Sequence, residues 1–182
     1  MEKTMTERKE RFAVGDRVVY RAEGVCEVVD IRKEKFLGCA EETYYILSPR
    51  NDGNSSIYVP VGNEKLTAMM RPLLSASEIA ALVAEIGEER LEWIDESRAR
   101  NAVFREILSL GDRRSLAMLA LTVHEYLEKI SLLGKKPGST ETGALARACK
   151  LLRDEFSEAI PLHSDKELLP FFAEKRRSKN KK

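Results

Sequence analysis

At 182 residues the chain has room for one domain or two small ones, and 43% apolar with 34% charged residues is too apolar for wholesale disorder. No window reaches the ~18 consecutive apolar residues of a membrane span, and the opening MEKTMTERKE lacks a signal peptide's apolar core, so a cytosolic protein is expected. The net charge of +1 does not demand a polyanionic partner. The last eight residues, KRRSKNKK, carry six positive charges and no acid: such a block suits DNA phosphate, or simply keeps a frayed tail soluble.

From Phe12 to about Met70 the period is that of short strands punctuated by turns. FAVGDRVVYRAEGVCEVVDIRKE has Gly15-Asp16, then Val18-Val19-Tyr20, a break at Glu23-Gly24, and a β-branched run over residues 25–31. TYYIL at 43–47 and Ile57-Tyr58-Val59-Pro60 follow, separated by NDGN, where Gly and Asn tolerate positive φ. Four or five such strands predict a small SH3-like or Tudor-like barrel over residues 11–70, since an open sheet that short would expose too much edge. Met70-Arg71-Pro72 reads as the linker, because proline stops the incoming strand where the pattern changes.

A helical bundle is expected over residues 73–162, making the chain an α+β two-domain protein. Ser75 and Glu78 form a capping box for the first helix. Gly87 precedes a second helix at about 90–110, Gly111-Asp112 a third at about 113–133, and the loop GKKPGST a fourth at about 140–160. HSDKELLPFF adds a short helical turn before the basic tail, so residues 163–182 are set apart.

Chemistry is sparse. There is no GxGxxG, no Walker A loop and no Cys–His pair at a recognisable spacing, so neither an enzyme nor a cofactor is expected. Cys26, Cys39, Cys149, His124 and His163 fit no zinc pattern, and Cys26 and Cys149 sit in apolar stripes as buried small hydrophobes. Two features favour binding. The strand at 56–60 ends in proline, as an edge strand does; a partner strand can add there, or the proline blunts the edge. The only tryptophan, Trp93, lies in RLEWIDESRAR; on a helical wheel it falls at the border of the stripe of Ile94, Asn101, Phe104 and Leu108, near Arg100, with Arg98 and Arg105 towards the other border. An indole beside guanidinium groups can stack on bases and grip phosphates, although packing in the core is the commoner role of such a residue.

The order of these motifs resembles the CarD (CdnL) family of bacterial transcription regulators, whose N-terminal module also occurs in transcription-repair coupling factors. FAVGDRVVYRAEGVCEVVDI is similar to that family's opening, with TYYIL and IYVPV as its later strands; WIDESRARN, SLGD and ALARACKLLRDEF are similar to its Trp helix, its Gly-Asp turn and its closing helix. The resemblance implies docking on the RNA polymerase β subunit by the first module, through Lys33, Lys35, Ile57, Tyr58, Val59 and Pro60. It implies that Trp93 wedges into the minor groove at the upstream edge of the promoter bubble and stabilises the open complex, with Arg98, Arg100, Arg105, Lys150 and Arg153 on the DNA backbone. The chain departs from the family at Glu34 and Tyr58 on the docking face and at Thr142 before the last helix. A rival reading keeps the fold as a polymerase-docking adaptor without a DNA role. A monomer is expected, since no heptad seam is visible.

Overall fold

The computed structural model describes residues 11–179 apart from Leu37 and Cys39, with backbone alone for 176–179. The charged opening, Cys39 and the last three residues of the basic tail thus lie outside the described residues, as do the side chains of 176–179. The chain divides after Pro72 into two compact units.

The first unit is a five-stranded antiparallel sheet in the order β4-β3-β2-β1-β5. Its strands are β1 (Arg17–Tyr20), β2 (Gly24–Glu34), β3 (Glu42–Pro49), β4 (Ile57–Pro60) and β5 (Met70–Pro72), with a short helix α1 (Glu64–Thr67) before β5. Alternation puts Val18, Tyr20, Cys26, Val28, Tyr45, Leu47, Val59 and Met70 into one buried cluster. On β2 the core positions are even-numbered up to Val28, yet Ile31 packs against the same cluster. A bulge between Val28 and Asp30 makes the switch and turns Val29 out to solvent. The Gly15-Asp16 turn is fastened next to it: Gly15 N–H donates to the Val28 carbonyl and Val28 N–H to that of Asp16, both at 2.8 Å. Met70-Arg71-Pro72 is therefore not a linker. Its residues pair with Tyr20, Val19 and Val18, so the boundary falls after β5.

The second unit holds α2 (Ala76–Ile86), α3 (Ser97–Leu110), α4 (Arg113–Leu132), α5 (Ser139–Phe156) and α6 (Asp165–Lys179). The expected capping box is present: Ser75 Oγ accepts from Glu78 N–H, and the Glu78 carboxylate accepts from Ser75 N–H. Ser75→Ala should cost about 1 kcal/mol, read as a lower thermal midpoint. Gly111, left-handed at φ 67°, closes α3, and Asp112 caps α4 through Ser115 N–H.

Two expectations change here. Residues 89–95 are not helical, and α3 begins only at Ser97. Glu96 decides this, because its carboxylate accepts from Arg98 N–H (2.8 Å) and Ala99 N–H (2.6 Å) and so starts the helix there. The segment before it is tied to α4, with Leu91 N–H donating to Thr122 Oγ1 and Arg90 paired with Glu125. The second change is α6, which is a long helix and not a short turn. Leu168 and Phe172 are 0% and 1% exposed in the same core as Ile79, Leu119, Leu152 and Phe156. Pro170 lies inside α6, past its first turn, and so removes one backbone hydrogen bond there, a cost set against the burial of Leu168 and Phe172.

Burial, aided by Glu23, pushes the Cys26 thiol up to about 12; burial, aided by Asp165, pushes Cys149 up to about 11. Neither should react with a thiol reagent at pH 8 in the folded protein, and both should react once it is unfolded. Two caps contribute a pH-dependent part of the stability. Hydrogen bonds from Ser75 hold the Glu78 carboxyl, and those from Arg98 and Ala99 N–H hold that of Glu96, below the ordinary 4.5. Folded values below unfolded ones mean that this stabilisation is complete above the unfolded value and is lost as pH falls through the folded one. The thermal midpoint should drop between pH 5 and pH 3, and Glu96→Gln should flatten part of that drop.

Candidate nucleic-acid and protein interfaces

Because residues 89–95 lie outside any helix, the wheel that set Trp93 at a stripe border does not apply; tertiary contacts place the ring. Trp93 is half-buried against the helical core. Its indole stacks on Tyr126 of α4, with centroids 3.8 Å apart and an interplanar angle of 20°. The Arg100 guanidinium carbon lies over the indole at 4.8 Å from the centroid. A ring at 3.8 Å leaves no room for a guanidinium on the same face, so Arg100 covers the other. The indole can therefore offer an edge, and no free face on which a base could stack. Tyr126 could have been suspected from sequence only by its aromatic character, since nothing local links it to a residue so far back in the chain.

Arg100 was expected on a DNA backbone, but it is buried and its donors are turned inward. Nε and Nη2 bond Glu141 Oε1 at 3.2 and 2.6 Å, while Nη1 bonds the carbonyls of Ile94 and Asp95 at 2.8 and 3.0 Å. Burial alone would raise the Glu141 carboxyl, yet the Arg100 hydrogen bond, a backbone hydrogen bond and the Arg100 charge hold it below the ordinary value. Arg153 is also engaged, half-buried between Asp154 (2.7 Å) and Asp165 (3.0 Å). Arg98 and Arg105 are exposed two turns apart on α3, Arg105 touching its own helix at the Asn101 carbonyl. Lys150 is half-buried on α5. Of the expected phosphate contacts, these three keep side chains that no acid in the described residues is shown to hold.

In the sheet, β4 ends the strand order as expected of an edge. Val61 N–H donates to the Thr43 carbonyl, and the pairing Tyr45↔Val59, Leu47↔Ile57 continues that register. By alternation Ile57 and Val59 turn their backbone groups toward β3, while Tyr58 and Pro60 turn theirs outward. Pro60 thus costs the sheet no hydrogen bond, and the outer edge offers both groups of Tyr58, while the Pro60 carbonyl already accepts from Asn63 N–H at 3.0 Å. Val59 was expected among the contact residues. Its side chain is 0% exposed in the core, so it serves only through backbone geometry. Ile57 packs half-buried on the core, and Pro60 is half-buried.

Tyr58 belongs to an aromatic trio that the sequence did not disclose. Phe36 meets Tyr44 at 5.2 Å and Tyr58 at 5.3 Å, edge to face, and Tyr44 meets Tyr58 at 6.2 Å. Phe36 and Tyr58 remain 42% and 37% exposed beside the edge. Lys33 and Lys35 are exposed on and after β2, next to an Asp30–Arg32–Glu34 ion-pair chain. Among the described residues no group of three or more His, Cys, Asp or Glu side chains could hold a metal ion, and no helix is long and apolar enough to cross a membrane.

Among the described residues the outer edge of β4 pairs with no strand and is flanked by exposed aromatics, the make-up of an interaction surface. Residues 12–74, which take in the whole sheet, match the family model of the CarD-like/TRCF RID domain. The match supports RNA polymerase as the partner of this unit. No curated protein matches the chain.

Proposed function

We propose that the chain is a transcription regulator that docks on the RNA polymerase β subunit through its sheet and stabilises the promoter open complex through Trp93. The observation that carries this reading is the RID-family sheet with its edge left open at β4. The sheet is read as an SH3/Tudor-like barrel, since long β2 pairs with β1 by its first half, with β3 along its length, and bends at a bulge between them. A strand of the polymerase adds beside Tyr58, and the Phe36–Tyr44–Tyr58 trio receives its side chains, with Lys33 and Lys35 nearby. Tyr58→Asp, which charges that edge, should weaken retention on the isolated β lobe by tenfold or more, on the order of 1.4 kcal/mol. Equal retention of both proteins would remove the docking reading.

On DNA, the wedge is the edge of the indole, backed by Tyr126 and Arg100, entering the minor groove at the upstream limit of the bubble. Arg98, Arg105 and Lys150 steady the unit on phosphates without reading sequence. Such a contact regulates only because the broken base step exists in the open complex and not in the closed one. The protein works as a monomer in the cytoplasm, with the nucleoid-bound polymerase. The covered faces of the indole favour one rival, an adaptor that binds polymerase alone. Intrinsic fluorescence separates the two: forked DNA should quench Trp93 in the first case and leave it unchanged in the second.

A further inference from the structure

We propose that Arg100 and Glu141 form a clamp that sets the angle of the Trp93 indole, and that position 138 is glycine because the clamp leaves no room there for a Cβ. This deepens the reading of Trp93 as the DNA-contacting residue and rests on it. Trp93 lies in a stretch without helix or strand, so no repeating backbone hydrogen bonds fix its direction. What fixes it comes from elsewhere in the unit. Tyr126 supplies a flat surface on α4. Arg100 supplies the rest, because one planar fork bonds a carboxylate on α5, holds the two carbonyls that follow Trp93, and sets its central carbon over the ring.

A plain structural ion pair accounts for less of this. A buried pair is often no more stabilising than apolar residues of the same size, so stability alone does not call for Arg and Glu here. The two carbonyls and the indole face do call for a guanidinium: a lysine ammonium has no plane and cannot span from Glu141 to Ile94 and Asp95. Glu141 is in turn held close. It stands at the third position of α5 and folds back over Gly138, the N-cap, so that a Cβ on Gly138 would collide with its Oε2. The φ of Gly138 is −72°, which any residue adopts, so close approach and not backbone conformation is what asks for glycine. Arg100 is thus a positioning residue, acting on DNA through Trp93.

The test uses the full chain, in which Trp93 is the sole tryptophan. Acrylamide quenching and anisotropy report the indole, far-UV melting reports folding, and the lifetime of a polymerase–promoter open complex reports function. Arg100→Lys and Glu141→Gln should leave a folded protein with a more readily quenched, more mobile Trp93 and an open-complex lifetime reduced toward that of Trp93→Ala. Gly138→Ala keeps all three side chains and should also raise quenching; it decides the matter should the other two unfold. Wild-type quenching and anisotropy in folded variants would overturn the clamp. So would a loosened indole with wild-type lifetime where Trp93→Ala shortens it. Should Trp93→Ala itself leave the lifetime unchanged, the DNA reading fails, while the fluorescence result still judges the clamp.

Discussion

Phe172→Ala should destabilise the helical unit by about 3–5 kcal/mol, the usual cost of emptying a large buried aromatic site. Phe172 is 1% exposed and lies against Phe156, itself 0% exposed, at 6.4 Å between ring centroids. The cavity would open between α5 and α6, where neither backbone can collapse without disturbing Leu152 and Leu168. In a unit of this size the loss should lower the thermal midpoint by roughly 10–20 °C. Cutting the chain after Leu162 should do more, since it removes Leu168 together with Phe172 and uncovers Ile79, Val83 and Phe156 to water. A truncated protein that melts like the full chain would show α6 to be dispensable, and the buried positions of Leu168 and Phe172 would then need another explanation. The helical unit without α6 should for the same reason aggregate.

Trp93→Ala should shorten the lifetime of a polymerase–promoter open complex by about tenfold to a hundredfold, the equivalent of ~1–3 kcal/mol if values for base–aromatic contacts carry over to an inserted edge. Polymerase binding should not change, because Trp93 lies in the helical unit and the docking edge lies in the sheet. Trp93→Phe separates wedge from filler: it keeps an apolar ring against Tyr126 but shortens the edge that reaches out, so it should restore stability more fully than lifetime. Equal lifetimes for wild type and Trp93→Ala would leave the chain as an adaptor.

The strands were legible because their alternation is local. Val18/Tyr20, Tyr45/Leu47 and Ile57/Val59 show a two-residue period, and NDGN and Glu23-Gly24 mark the turns between them. The Ser75 capping box was legible for the same reason, being a matter of two side chains three residues apart. The start of α3 was not, because Trp93-Ile94 continues a plausible helical stripe and only the carboxylate of Glu96, folded onto two backbone N–H groups, ends it. The site residues fared similarly. Composition shows that Arg98, Arg100, Arg105 and Arg153 are positive, and nothing local shows that Arg100 faces Glu141 on α5 or that Arg153 reaches Asp165 on α6.

The sequence by itself determined the switch from a two-residue to a helical period, the turns and the caps, each a matter of neighbours within a few residues. The tertiary structure alone decided that β5 belongs to the sheet, that α6 completes the helical core, and that the indole is held between Tyr126 and Arg100. Those outcomes depend mostly on groups tens of residues apart. Their pairing follows from which surfaces the packed elements bring within hydrogen-bond and van der Waals range, a distance that no periodicity encodes.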